Sequence, residues 1–262
     1  MDDPETIVGV VAIFVGAFLL MLLIAIVISA IQMKRRTLGI REWAFRNGFD
    51  YVEGPVPAGD LAPIRDLTTS DKVTESKATN ILRGSRGVTM TLFDLQRTTR
   101  NQTGRRKRMA EESTAKTCAL FKLSNTLPQF WLMPLTTSGP EAFPRLLGGA
   151  TSLARAVSAG TAGQPIEIKD RPGFLLLSHD PSRAAALFDG DRARFFDDKC
   201  GWNIDSEDGW LLVSCDPTLY RQGGWKRFAV VDAPHFDDFV SIAVSIQGLF
   251  TNAIRHEFAS DI

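Results

Sequence analysis

Residues 7–31 read IVGVVAIFVGAFLLMLLIAIVISAI, with no charged side chain and only Ser29 as a polar one. As a helix this run is about 37 Å long at ~1.5 Å per residue, enough to cross a hydrocarbon core of ~30 Å with some tilt. A buried helix of a soluble domain seldom needs so long an uncharged stretch. A cleaved signal peptide does not fit either. The preceding MDDPET is acidic, the run exceeds a signal core, and no small-x-small cleavage site follows it. The sequence therefore predicts a transmembrane helix over 7–31 that anchors everything after it.

Its flanks are asymmetric. Lys34, Arg35 and Arg36, then Arg41 and Arg46, follow the run, while Asp2, Asp3 and Glu5 precede it. Lys and Arg are retained on the cytoplasmic side. The expected location is the cell membrane, crossed once, with residues 1–6 outside and the remainder in the cytosol. Cys118, Cys200 and Cys215 are odd in number, far apart and in no CxxC pair. They make a poor disulfide framework or metal site and suit a reducing compartment. Gly9, Ala12, Gly16, Ala25 and Ser29 allow close helix contact, a frequent property of spans.

Beyond the span, 44% hydrophobic and 23% charged residues describe an ordinary globular mixture. The 30 basic and 30 acidic side chains cancel, which argues against a nucleic-acid binder, usually basic over the whole domain. KRRTLGIREWAFRN places Leu38, Ile40, Trp43, Ala44 and Phe45 among basic residues, a short helix continuing from the span or lying at the interface, with Gly48 as its stop. Residues 32–77 are thus a juxtamembrane helix and linker, where Pro55, Pro57 and Pro63 exclude regular helix.

Residues 78–262 read as a cytosolic α+β domain, with a Gly-, Ala-, Ser- and Pro-rich break near 136–164 as a candidate split into two subunits. Strands flank GSRG as a half-buried hairpin in which Val88, Met90 and Leu92 alternate with Thr89 and Thr91. TAKTCALFKLS and QFWLMPLT read as further strands, and EAFPRLLGGATSLARAVSAG as a short helix. PIEI and GFLLLS are strands, and PSRAAALFDGDRARFFDD is one helix with Pro181 in its first turn. WNIDSEDGWLLVSC is a hairpin around Glu207, Asp208 and Gly209. DAPHFDDFVSIAVSIQGLFTNAI is a helix with an apolar face through Phe239, Ile242, Ala243, Ile246, Leu249 and Phe250. The fold class expected is α+β: one N-terminal transmembrane helix, then a mostly antiparallel β domain with a C-terminal helix.

The pieces WAFRNGFDY, NILRGSRGVTMTLFDLQ, TCALFKLSNTLPQFWLMP and GFLLLSHD...LFDGD...GWNIDSEDGWLLV together resemble a group of uncharacterised bacterial proteins with one N-terminal span and a cytosolic domain of unknown function. The resemblance implies architecture and carries no catalytic residue.

Candidate chemistry is sparse. Ser178, His179 and Asp180 have the residue types of a hydrolase triad, but successive residues at a strand end alternate sides, and a triad needs the imidazole between the other two. A strand-ending turn before Pro181 explains them. Asp189, Asp191, Asp197 and Asp198 lack the Gly and Glu positions of a calcium loop. No cofactor or resident metal is expected. RTTRNQTGRRKRMAEES remains, with Arg97, Arg100, Arg105, Arg106, Lys107 and Arg108 between two strands, in a hairpin tip or long loop. Its readings are contact with anionic lipid, a solvated loop, or a docking arm for a protein or nucleic acid. Each Lys or Arg at an anionic leaflet gains up to ~1 kcal/mol. The function expected is a membrane-tethered, non-catalytic interaction or scaffold module whose protein partner is unidentified. The alternative is a membrane-anchored enzyme with a divalent-metal site at 189–198.

Overall fold

The computed structural model of the chain describes residues 4–64, 67, 73–103, 108–124, 127–134, 164–166, 174–188, 191–198, 201–215 and 228–259. Helix α1, Pro4–Arg46, runs without interruption through the apolar stretch and the basic segment after it. Its most apolar window is entirely exposed on the molecule, and it is long and apolar enough to cross a membrane. The juxtamembrane residues form the last turns of this same helix.

Gly48 ends α1 at φ +70°, the left-handed conformation that glycine adopts without a Cβ penalty. Phe49 N donates to Ala44 O (2.9 Å) and Gly48 N to Phe45 O (3.4 Å), the two bonds of a Schellman motif, and the Phe49 ring closes on Trp43 at 5.3 Å. Gly48→Ala should lower stability by about 1 kcal/mol, because a Cβ is strained in this conformation. A urea midpoint would read the change, and no shift would mean the chain exits α1 another way.

A single sheet follows, in the order β1-β3-β4-β5-β10-β9-β6-β8-β7. The strands are β1 (Asp50–Val52), β2 (Val56–Pro57), β3 (Val73–Ser85), β4 (Thr89–Thr103), β5 (Arg108–Lys122), β6 (Phe130–Pro134), β7 (Gln164–Ile166), β8 (Phe174–Ser178), β9 (Trp202–Glu207), β10 (Trp210–Cys215) and β11 (Phe228–Ala229). All pairings are antiparallel among the described residues except β11, which lies parallel to β5. The expected α+β architecture is present. The sheet passes uninterrupted from β5 to β10 and through β9 to β6, so strands from both sides of 136–164 belong to it.

The hairpin is half-buried as expected up to Leu92, with Met90 and Leu92 buried and Thr89 exposed, but from there Phe93, Asp94 and Leu95 are buried in succession. Over β3, β4 and β5 both faces of the sheet are covered. On one face Leu82, Met90, Leu92, Leu132, Leu176 and Ile204 pack with the end of α1 and with helix α4, Phe236–Ala259. On the other, Ala58, Ala62, Ile64 and Leu67 of the Pro-rich connector lie over Ile81, Phe93, Leu95 and Leu120. Alternation of polar and apolar residues cannot survive where neither face meets water.

Residues 181–198 form two helices, α2 (Pro181–Leu187) and α3 (Asp191–Asp198), where one was expected. Phe188 leaves helical geometry at φ −108°, ψ 28°, and its ring packs edge-on against Phe130 and beside Phe196 and Phe250. A straight helix would not have turned that ring into the core. The β9–β10 hairpin closes through Asp208 (φ 49°) and Gly209 (φ 75°), a two-residue turn whose twist matches its strands. The C-terminal helix is as expected, with Phe239, Ala243, Ile246 and Phe250 fully buried. Cys118 and Cys215 are buried. Cys200 and the helix expected from EAFPRLLGGATSLARAVSAG lie outside the described residues.

Candidate functional site

The basic triplet after the apolar run divides by helical phase. Lys34 and Arg35 are exposed, whereas Arg36 is only 6% exposed. Arg36 shares its stripe with Ile40, Trp43 and Ala44, spaced four, seven and eight residues on, and these are all buried. Leu38 and Phe45 of the same segment face away from the sheet, exposed at 55% and 86%.

Arg36 meets Asp94, in the middle of β4. Its Nη1 and Nη2 donate to the two carboxylate oxygens at 2.5 and 2.8 Å, and Nε donates to Val231 O at 2.8 Å. Asp94 accepts two further bonds, from Asn80 Nδ2 at 2.8 Å and Thr117 Oγ1 at 2.9 Å. Thr117 Oγ1 in turn accepts from Val231 N at 2.9 Å. Gly39 makes this approach possible: a Cβ there would lie 2.7 Å from Ala233 Cβ, so any side chain would push α1 off the short 3-10 turn Ala233–His235 and carry Arg36 from Val231.

Backbone irregularity serves the same contact. Asn80 sits at φ +50°, within a register shift of the β3–β4 ladder between Thr79 and Leu82. This bulge re-aims its amide at Asp94, and Tyr51 Oη donates to Asn80 Oδ1 at 3.2 Å. Arg41 stands over the Tyr51 ring at 5.7 Å. Burial, followed by the charge of Glu53, raises the Tyr51 phenol above its usual range.

With four donors on its two oxygens, Asp94 has no free lone pair for a metal or a substrate proton. The cluster is therefore a joint. A buried ion pair is weak evidence for stability but effective in specifying one arrangement, since each charge is tolerable only opposite the other. Here it sets the rotation of α1 about its axis relative to the sheet.

A second tie lies at the end of α1. Asp237 Oδ1, in the first turn of α4, accepts from Arg86 Nη1 (2.7 Å) in the β3–β4 turn and from Trp43 Nε1 (3.3 Å). The Arg86 hydrogen bond holds the Asp237 carboxyl below its usual 3.8. Because the folded pKa is depressed, this tie stabilises fully above about pH 4 and is lost as pH falls through the folded value. The group is about half exposed, so solvent screens it and the effect is small. Asp237→Asn should flatten the stability profile below pH 4 and leave the remaining profile unchanged; an unaltered acid limb would mean that the tie contributes nothing.

The residues expected to matter are distributed as follows. Arg97 is half-buried within β4. Arg100 and Arg108 lie in strands, because the hairpin continues to the pair Thr103↔Arg108. The basic stretch is thus mostly paired β-structure where a tip or long loop was expected, and Arg105, Arg106 and Lys107 lie outside the described residues. Ser178 Oγ donates to Gln129 O (2.5 Å) and accepts from Asp180 N (3.0 Å), while Asp180 caps α2 through Arg183 N. These are the bonds of a strand-ending turn. Asp191, Asp197 and Asp198 fall in α3, and Asp189 lies outside the described residues. Among the described residues no three His, Cys, Asp or Glu side chains gather as metal ligands. Sequence reasoning missed Asp94 altogether. Its signal was a lone acid between Phe93 and Leu95 in an apolar strand, a position that needs a buried cationic partner.

No protein-family model matches the chain, and no curated protein matches it significantly in sequence. Among solved structures, the crystal structure of the mycobacterial trehalose monomycolate transport factor A, TtfA, aligns at 14% identity with a TM-score of 0.49, over 84% of this chain and 93% of that one. Likeness at this level leaves function to be argued from the joint and the helix.

Proposed function

We propose that this chain is a membrane-tethered, non-catalytic interaction module: α1 crosses the cell membrane once, residues 1–6 lie outside, and the sheet domain stands on the cytosolic side. The observation that carries this reading is the joint between Arg36 and Asp94. An apolar helix of spanning length continues directly into the core of the sheet domain, and a saturated ion pair fixes its rotation there. A rigid joint suits a module that presents one surface to the membrane or to a partner in one orientation. The asymmetry of Asp2, Asp3 and Glu5 against Lys34 and Arg35 supports the orientation. Among the described residues, the alternative of a divalent-metal enzyme at 189–198 gains no observation in its favour.

Cysteine scanning in intact cells tests the orientation. A membrane-impermeant maleimide should label Glu5→Cys in intact cells and Glu53→Cys only after permeabilisation, with the unsubstituted chain as baseline. The reverse pattern would overturn it. Site-specific photocrosslinking from Phe45 and Leu38, the exposed apolar residues of α1 beyond the span, should then capture a discrete partner.

A further inference from the structure

We infer that the outward face of α1 beyond the apolar run is a docking seam for an acid-bearing helix of a second membrane-anchored protein, an inference that rests on α1 being a span and the chain an interaction module. Phase comes first. At about 100° per residue, Arg36, Ile40, Trp43 and Ala44 point into the sheet domain, and all four are buried. The opposite arc of the same turns holds Ile31, Lys34, Leu38, Arg41 and Phe45, and all five are exposed. These residues continue one line along the helix. It passes through Leu20, Ile24, Val27 and Ile31 within the apolar run, then through Lys34, Leu38, Arg41 and Phe45 after it. The steps alternate between four and three, the heptad spacing with which one helix packs along another.

Lipid explains the first half of this line but not the second. Phe45 lies about 21 Å past Ile31 at ~1.5 Å per residue, and still about 16 Å past it in a helix tilted by ~40°. The headgroup layer on one side of a bilayer is only about 5–8 Å deep. Phe45 nevertheless stands 86% exposed and Leu38 55% exposed. The ion pair between Arg36 and Asp94 prevents α1 from rolling these side chains onto the sheet, so their cover comes from another molecule.

Charge decides which molecule. Beyond the apolar run every second position of the line is a cation, Lys34 and Arg41 alternating with Ile31, Leu38 and Phe45. Arg35 adds a further cation at its edge, while the one acid on this face, Glu42, already pairs with Arg46 at 3.6 Å. The Arg41 guanidinium lies over the Tyr51 ring at 5.7 Å, which steadies it beside the line. A second copy of this chain inserts in the same direction and would pair in parallel, setting Lys34 against its own counterpart and Arg41 against its own. Like charges between two helices oppose association. The occupant that fits is a helix with apolar residues facing Ile31, Leu38 and Phe45, and with Asp or Glu facing Lys34 and Arg41. Charged positions inside a heptad seam fix register and reject wrong partners, which is what a module held in one orientation requires.

The test uses the full chain in its native cells, with a photocrosslinking amino acid at Phe45 or Leu38 and, as baseline, at exposed Asp60 of the connector. Mass spectrometry of the adduct reads the crosslinked peptide. Phe45 and Leu38 should join one membrane protein through a helical peptide carrying Asp or Glu seven residues apart. Arg41→Glu should cut the yield about tenfold, and reversing the facing acid of the partner to Lys should restore it. Restoration also shows that Arg41→Glu has not unfolded the domain. An adduct of twice the chain mass would overturn the inference in favour of a second copy, and a phospholipid adduct in favour of the membrane surface. A protein adduct indifferent to Arg41→Glu would overturn the charge matching and leave the interaction module standing. A yield no higher than from Asp60 would overturn the seam itself; Glu53→Cys that labels only after permeabilisation would then show that the span and its orientation survive.

Discussion

Replacing Arg36 by Ala in the full chain should destabilise the sheet domain by about 3–5 kcal/mol, because it leaves a buried carboxylate without its counter-charge. Asp94 is 3% exposed, and its remaining partners Asn80 and Thr117 are neutral donors that do not balance a charge. Asp94→Ala should do comparable damage from the other side. The double replacement Arg36→Met with Asp94→Leu should cost clearly less than the two single changes added together, since a pair of apolar side chains needs no compensation. Urea unfolding in nanodiscs, followed by the fluorescence of buried Trp43 and Trp202, would measure all three. Single losses below about 1 kcal/mol would mean the pair behaves as a surface bridge and the joint is wet. Fragment boundaries follow from the same physics. A domain beginning at Thr37 lacks Arg36 and should be as weak as the Ala variant, whereas one beginning at Lys34 retains the pair.

Phe250→Ala is expected to cost about 3–5 kcal/mol through lost burial and a residual cavity. Its ring is fully buried in α4 and lies 5.4 Å from Phe130, 5.7 Å from Phe188 and 6.5 Å from Phe196. Those partners come from β6, from the end of α2 and from α3, so the cavity would open where four elements converge. Phe250→Leu, which keeps most of the volume, should retain most of the stability. A loss near zero for the Ala variant would show that α4 is held by Phe236 and Phe239 alone, with its later turns adding little.

Several elements were legible from local pattern alone. The apolar run specified a helix because its backbone hydrogen bonds close within the segment, whatever surrounds it. Gly48 marked the end of α1, Asp208 and Gly209 marked the β9–β10 turn, and a period near 3.6 marked the buried face of α4, because each is a property of residues a few positions apart. The break between α2 and α3 was not legible, because the aromatic cluster that draws Phe188 inward is assembled from distant strands and helices.

What the sequence by itself determined is a helix long and apolar enough to span a membrane, a set of hairpins, a C-terminal helix and a basic segment between two strands. Only the tertiary structure decided that Arg36 is a core residue while Lys34 and Arg35, beside it, remain exposed. It also decided that a Pro-rich connector roofs one face of the sheet and that β5 lies beside β10. All of these rest on contacts between residues far apart in the chain. Helical phase and turn chemistry are set within a few residues, but a buried charge is permitted only by the opposite charge that the fold brings to it, and Asp94 is 58 residues away in the chain.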